Sequence, residues 1–174
     1  MRLSAAILSI AAVALVGACA AMSPAAPRAV AVVEARSGSS VAGRVEFTEK
    51  RGQVRAHVEL AGLAPNSEHG FHVHEKGDCS APDAASAGGH FNPGGTAHGR
   101  AGVAPHHAGD LPSLTADARG NVRADLVLEG VTLAAGPTSI VGRSVVVHRD
   151  RDDFTSQPAG NSGPRIACGV IAAQ

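Results

Sequence analysis

The chain contains no tryptophan and no tyrosine, and its four phenylalanines, Phe47, Phe71, Phe91 and Phe154, are thin aromatic provision for 174 residues. A core built mainly from Val, Leu, Ile and Ala buries less area per residue, so cross-links or metals are expected to carry part of the stability. An excess of charge of either sign is missing too, since 15 basic residues stand against 15 acidic ones. With no basic run suited to a phosphate backbone, no nucleic-acid partner is expected. Also absent is an apolar run of the roughly 20 residues needed to span a bilayer.

The apolar run that is present, Leu3 to Leu15, follows Met1 and Arg2 and ends in Val16-Gly17-Ala18-Cys19. One positive charge, a short apolar segment and small residues make a secretory signal over residues 1–18, removed from the mature protein. Val-Gly-Ala-Cys resembles the bacterial lipobox, in which the cysteine, here Cys19, becomes a lipidated amino terminus. Ala18-Cys19-Ala20 offers the alternative of ordinary cleavage and a soluble product. With Cys19 set aside, Cys79 and Cys168 remain as an even pair in a chain bound for an oxidising compartment, where a disulfide can persist. Two buried thiols are the plainer reading of the same pair. Loss of Arg2 from the 15 basic residues leaves 14, so the mature chain stays near neutral. Residues 19–40, rich in Ala, Pro and Ser, read as a tether. The remaining 41–174 amount to one domain, whose first strand can begin near residue 29.

Short segments rich in Val and Ile, bounded by Gly, Asn, Asp or Pro, recur along the chain. Strands are expected at 29–36, 41–48, 53–60, 70–75, 114–117, 122–128, 144–148 and 166–171, with tight turns at Glu49-Lys50-Arg51-Gly52 and Ala118-Arg119-Gly120-Asn121. Eight strands and little helical periodicity argue an all-β antiparallel sandwich or barrel. Two stretches break the rhythm: 76–112, dense in Gly, Ala, Asp and His, and 149–164, charged and then rich in Gly and Pro. Long loops inside a compact domain are usually functional, and each needs something to hold it down.

Gly70-Phe71-His72-Val73-His74-Glu75 supplies one such device. Side chains two apart on a strand leave the same face, so His72 and His74 project together and make half of a metal site. Imidazole serves zinc, copper, iron and nickel alike, so the pair does not choose the metal. His148, at the end of Ser144-Val145-Val146-Val147, adds a third imidazole on a rigid element. The first long loop offers His90, His98, His106, His107 and Asp110. Three histidines and a carboxylate can close a tetrahedral zinc site and fix a loop with no strand pairing of its own. His57, on an alternating strand, reads as a surface residue.

Gly-Phe-His-Val-His-Glu, His90-Phe91-Asn92-Pro93, Gly109-Asp110-Leu111, Val145-Val146-Val147-His148 with Asp152-Asp153, and Gly163-Pro164-Arg165-Ile166-Ala167-Cys168-Gly169-Val170-Ile171 occur in this order. Together they resemble the copper, zinc superoxide dismutases of the bacterial periplasmic or lipoprotein type, over about 41–171. The resemblance implies an eight-stranded Greek-key β-barrel or sandwich with two long functional loops and one copper and one zinc ion per subunit. Copper would sit at His72, His74, His90 and His148, and zinc at His90, His98, His107 and Asp110, His90 serving both. The choice of His107 over His106 follows from its three-residue step to Asp110. Asp152 matches the family's carboxylate linking a copper-side to a zinc-side histidine, Cys79 and Cys168 match its disulfide, and His69 matches a structural histidine. Arg165 matches the arginine that guides superoxide and hydrogen-bonds it, and His90 the ring that carries a proton to the reduced substrate. Pro164 and Ala159 depart from the small hydroxyl residues found there in eukaryotic members, which bears on substrate steering and not on the chemistry.

The implied reaction is dismutation of superoxide to oxygen and hydrogen peroxide in the bacterial cell envelope, with membrane contact only through a lipid at Cys19, as a monomer or homodimer. Two other functions compete. A zinc hydrolase would use three histidines and an open water position. A non-catalytic envelope copper- or zinc-binding protein would want exchangeable Met or Cys ligands, yet Met1 and Met22, both outside the domain, are the only methionines.

Overall fold

Burial along β3 (Gln53–Ala61) follows the alternation in its sequence: Val54, Ala56, Val58 and Leu60 are buried, while Gln53, Arg55 and Ala61 are exposed. The same period-two logic builds the rest of the protein. The computed structural model describes residues 25–174, which contain β1 (Arg28–Ala35), β2 (Ala42–Lys50), β3, β4 (Glu68–His69), β5 (Phe71–His74), a 3₁₀ turn (Ala85–Ala87), β6 (Leu114–Thr115), β7 (Val122–Leu128), β8 (Ser144–His148) and β9 (Arg165–Ala173). The leader and Cys19 lie outside the described residues.

Seven strands form one antiparallel sheet in the order β5-β8-β9-β1-β2-β3-β7, and β4 and β6 form a short second ladder. β2 and β3 close through Arg51 and Gly52, with φ of 53° and 73°, the left-handed pair that a two-residue hairpin turn requires. The sheet curls on itself: Phe71 and Val73 at one edge share a single apolar core with Val54, Val58 and Leu128 at the other. β1, β2 and β3 follow one another as hairpins, while β9 returns after a long connection to lie beside β1, which is Greek-key connectivity. The described chain is therefore an all-β barrel or sandwich, with β1 at the centre of its sheet.

Nine strands stand where eight are expected because a short strand, β4, precedes the expected 70–75 segment, within which Phe71–His74 form β5. Gly70 faces the Ser162 side chain, with no room for a Cβ, and its amide donates to the Asp150 carbonyl at 2.8 Å. The ladder with β8 therefore starts after it, and β4 pairs with β6 instead.

Both faces of β5 and β8 are covered, as is the stretch 166–169 of β9. Phe71, Val73, Val145, Val147 and Ala167 point into the main core. The opposite face carries His72 and His74, and register places Val146 across from His72 and Cys168 across from Val146. There Val146 and Cys168 pack with Cys79, Ala84 and Ala87 of the first long loop, and Cys79 and Cys168 are joined by a disulfide. A bulge between Val147 and His148 shifts the register so that His148 stands opposite Arg165. Bulges re-aim side chains, and this one puts a guanidinium on the same face as three imidazoles.

Candidate metal centre

The first loop returns to β5 twice. Phe91 donates its amide to the Val73 carbonyl and Val73 donates to the Gly109 carbonyl, both at 2.8 Å, while Gly109 donates to the Phe91 carbonyl at 2.8 Å. A Cβ on Gly109 would collide with the Val73 carbonyl oxygen, so only glycine allows these backbones so close. The ring of Phe91 is capped by the Arg143 guanidinium, 3.6 Å from its centroid. These contacts deliver His90 and Asp110 to the histidine face of the strand.

Two groups of buried side chains result: His72, His74, His90 and His148, and His90, His98, His107 and Asp110, the ligand atoms of each lying within 4.8 Å of one another. His90 belongs to both. In the second group Asp110 Oδ1 lies 2.9 Å from His90 Nδ1, 3.0 Å from His98 Nδ1 and 3.4 Å from His107 Nδ1, and the His90 and His107 Nδ1 atoms are 3.4 Å apart. Four donors arranged tetrahedrally about 2.0–2.1 Å from a zinc ion stand roughly 3.3 Å from one another, so the cluster matches the size of such a site. The other carboxylate oxygen is occupied, accepting the backbone N–H groups of Gly99 at 3.0 Å and His107 at 2.8 Å.

In the first group each ring has one nitrogen engaged and the other turned inward. His74 donates from Nδ1 to the Gly88 carbonyl at 2.9 Å, and His148 donates from Nδ1 to the Gly163 carbonyl at 3.1 Å. Their Nε2 atoms face each other at 3.5 Å. His72 donates from Nε2 to Asp152 at 2.7 Å. Among the described residues two ring nitrogens are left buried with no hydrogen-bond partner, His72 Nδ1 and His90 Nε2. A buried polar atom without a partner costs roughly 1–3 kcal/mol, and a metal ion that takes these lone pairs would remove the cost.

Electrostatics agree with ligand duty. Burial pushes His72 down to about 4 and His148 down to about 3, and holds His74 well below the ordinary imidazole value. At neutral pH all three are neutral and offer lone pairs. Burial would lower His98 as well, but its hydrogen bonds to Asp110 and Asp152 outweigh this and raise it to about 9. Without metal, His98 is thus a cation between two carboxylates, and an ion bound at its Nδ1 must expel that proton. Burial opposes ionisation of Asp110 and Asp152, yet the histidine and backbone hydrogen bonds hold both below the usual carboxylate range.

Asp152 spans the two groups, accepting from His72 at Oδ2 and from His98 Nε2 at 3.0 Å through Oδ1. It is buried, whereas its neighbour Asp150 is exposed. The carboxylate fixes the ring orientation of one histidine from each group. His106 is outside both groups, its Nδ1 donating to the His107 carbonyl at 2.7 Å. His57 pairs with Asp125 at 2.7 Å on the surface of β3. His69 is buried and donates from Nδ1 to the His148 carbonyl at 2.9 Å.

A cavity of about 400 Å³ opens over His74, His90 and His148, with Arg165, Gln157, Pro158 and Ala159 also in its lining. The guanidinium is seated by the carbonyls of Ala84 at 2.8 Å and Gly88 at 2.7 Å. The sequence gives no sign of these carbonyls, nor of Gln157. Ala84 is buried in left-handed backbone, φ 56°, a conformation its residue type does not announce.

The family model described as copper/zinc superoxide dismutase matches residues 41–171. A protein of Aquifex aeolicus (strain VF5) named superoxide dismutase [Cu-Zn] 2 is 44% identical over 135 residues, covering 75% of this chain and 79% of its own. One of Candida glabrata named superoxide dismutase [Cu-Zn] is 41% identical over 150 residues, covering 83% of this chain and 96% of its own. Among solved structures, a double mutant of a SOD-like protein from Bacillus subtilis is 36% identical and superposes with a TM-score of 0.75 over 82% of this chain and 96% of its own.

Proposed function

The chain belongs to the copper, zinc superoxide dismutase family, and on that premise we propose that its two histidine groups are the paired metal sites, copper at His72, His74, His90 and His148, zinc at His90, His98, His107 and Asp110. The protein is an oxidoreductase acting on superoxide and uses one copper and one zinc ion per subunit. The observation that carries the residue assignment is the pair of buried, partnerless nitrogens, His72 Nδ1 and His90 Nε2. Both belong to the group assigned to copper.

Two superoxide anions and two protons give one oxygen and one hydrogen peroxide, one anion being oxidised and the other reduced. Copper supplies the one-electron chemistry. The chain's own part is to admit the anion, orient it and deliver protons. Arg165, always charged, presents a fixed cation on the wall of the cavity. Whenever its Nε2 is not given to copper, His90 would hold a proton there and pass it to the reduced oxygen as general acid. The zinc-side cluster holds His90 by Nδ1, so that Nε2 keeps its aim when the proton comes and goes. Metal analysis coupled to a superoxide assay tests this reading. Equal copper and zinc are expected, with activity lost on chelation and restored by both metals; activity with zinc alone would overturn it.

Arg165→Ala should lower the second-order rate about tenfold and flatten its dependence on ionic strength, because field focusing on a small anion is worth 10- to 1,000-fold. A rate unmoved at both low and high salt would remove Arg165 from substrate guidance.

The Cys79–Cys168 disulfide is compatible with a compartment outside the cytosol. We further propose residues 1–18 as a leader, lipidation at Cys19 and an envelope location for residues 41–174. The support is the Val-Gly-Ala-Cys sequence. Labelled fatty acid should enter the protein and fail to enter Cys19→Ser; equal labelling of the two would sink the anchor.

A further inference from the structure

Gln157 lies on the second long loop, yet its side chain grips the backbone of the first. The His98 N–H donates to Gln157 Oε1 at 2.9 Å, and Gln157 Nε2 donates to the His98 carbonyl at 3.0 Å. This is the two-bond pairing that one strand gives another, supplied by a single amide to a segment that belongs to no strand. Nε2 also reaches the Thr155 carbonyl at 3.3 Å. Two carbonyls on one end of the amide and an N–H on the other fix which end is which.

The clamped residue is the junction of the two loops. His98 Nδ1 is 3.0 Å from Asp110 Oδ1 in the zinc-side cluster, and its Nε2 is 3.0 Å from Asp152, which holds His72 in turn. Approach of the second loop at this point depends on Gly160, where a Cβ would strike the Asp152 carboxylate and crowd His98 Nε2. Gln157 also stands in the lining of the cavity, as do Pro158, Ala159 and Arg165. One side chain is therefore tied to the zinc cluster through main-chain hydrogen bonds and to the route toward the copper-side histidines through its position.

We propose that Gln157 is a positioning residue that couples the two: by clamping both backbone groups of His98 it sets how firmly the zinc-side cluster is held, and through the same contact it holds the cavity wall in place. The inference rests on the metal assignment above. Without the amide, the His98 N–H and carbonyl must find other partners, and the imidazole keeps only its side-chain contacts. Loss of groups that orient a ligand costs 10- to 100-fold in metal affinity. Among the described residues Gln157 reaches a copper-side ring, His72, only through His98 and Asp152, so the effect should fall mainly on zinc.

The test uses the full mature chain loaded with both metals. Release of zinc and of copper to chromogenic chelators is followed for wild type, Gln157→Ala and Gln157→Glu, and exchange of the His98 amide hydrogen is measured in the metal-free proteins. Gln157→Ala should release zinc about 10 to 100 times faster with copper release changed far less, and should lose protection at the His98 amide. Gln157→Glu keeps an acceptor for the His98 N–H but sets a carboxylate oxygen against the His98 and Thr155 carbonyls, so it too should release zinc faster than wild type. With cobalt(II) in the zinc position, the visible bands of Gln157→Ala should move from those of wild type, a change that general loosening of the fold would not produce. Equal zinc release and equal His98 protection in all three proteins would overturn the coupling. Wild-type protein that takes up copper but no zinc would instead overturn the metal assignment, and the inference with it.

Discussion

His90→Gln should lower the dismutation rate by 10²- to 10⁴-fold and loosen both metal ions together, the range covering loss of a general acid. The size of the effect follows from the position of the ring. Its Nδ1 is 2.9 Å from Asp110 Oδ1 on one side, and its Nε2 is buried without a partner on the other. It stacks on His72 with centroids 3.9 Å apart, so the two groups meet across one imidazole. An imidazole can offer two nitrogen lone pairs in opposite directions once both protons are gone, a state that flanking cations stabilise. A glutamine amide has one acceptor end and one donor end and cannot serve both sides. His98→Gln is the informative contrast, since His98 belongs to the zinc-side group alone. It should lose zinc and keep a copper signal in electron paramagnetic resonance, whereas His90→Gln should disturb both. A His90→Gln protein with two tightly held metals and a wild-type rate would remove the shared-ring arrangement.

How far the fold could be read in advance depends on the range of the interactions involved. The alternation of Val54, Ala56, Val58 and Leu60 is local, and the strand it implies is the strand observed. His72 and His74 are local too, because period two alone puts them on one face. The division at Gly70 is not local: it depends on Ser162 and Asp150, far along the chain, and no neighbouring residue marks it. The choice between His106 and His107 lies in between. The three-residue step to Asp110 favours His107, and the fold adds a backbone N–H from His107 to Asp110 Oδ2 at 2.8 Å while His106 turns to a carbonyl. Gln157 was illegible for a physical reason, since an amide in a loop has no periodicity and acquires a role only when another loop is brought against it. Arg165 was singled out by resemblance, but its seat was not legible, because backbone carbonyls such as those of Ala84 and Gly88 leave no trace in residue type.

Removing the disulfide with the double substitution Cys79→Ser, Cys168→Ser should have the largest effect on stability, about 4–5 kcal/mol in the chain-entropy account. The bridge spans 89 residues of sequence with Cα atoms 5.7 Å apart, so it removes a great deal of freedom from the unfolded chain. For a domain of this size the loss corresponds to a fall of roughly 10–20 °C in the melting temperature of the metal-free protein. The consequence should reach the chemistry as well. Cys79 anchors the segment whose Ala84 and Gly88 carbonyls seat the Arg165 guanidinium, and the Gly88 carbonyl also accepts from His74. Arg36 holds the same segment to the barrel by donating to the Cys79 carbonyl at 2.8 Å. Freed at Cys79, the turn at Ala85–Ala87 keeps Arg36 and its packing on Val146 but loses its covalent tie to β9. Arg165 should then be less well fixed, and the metal-loaded double mutant should show a reduced rate with weaker salt dependence, in the direction of Arg165→Ala. Melting curves of the metal-free protein and rates at two ionic strengths separate the two effects. A melting temperature within a few degrees of wild type would contradict the stability argument. A full rate with unchanged salt dependence would show that Arg36 and the packing around Val146 hold the Arg165 seat without the covalent bond.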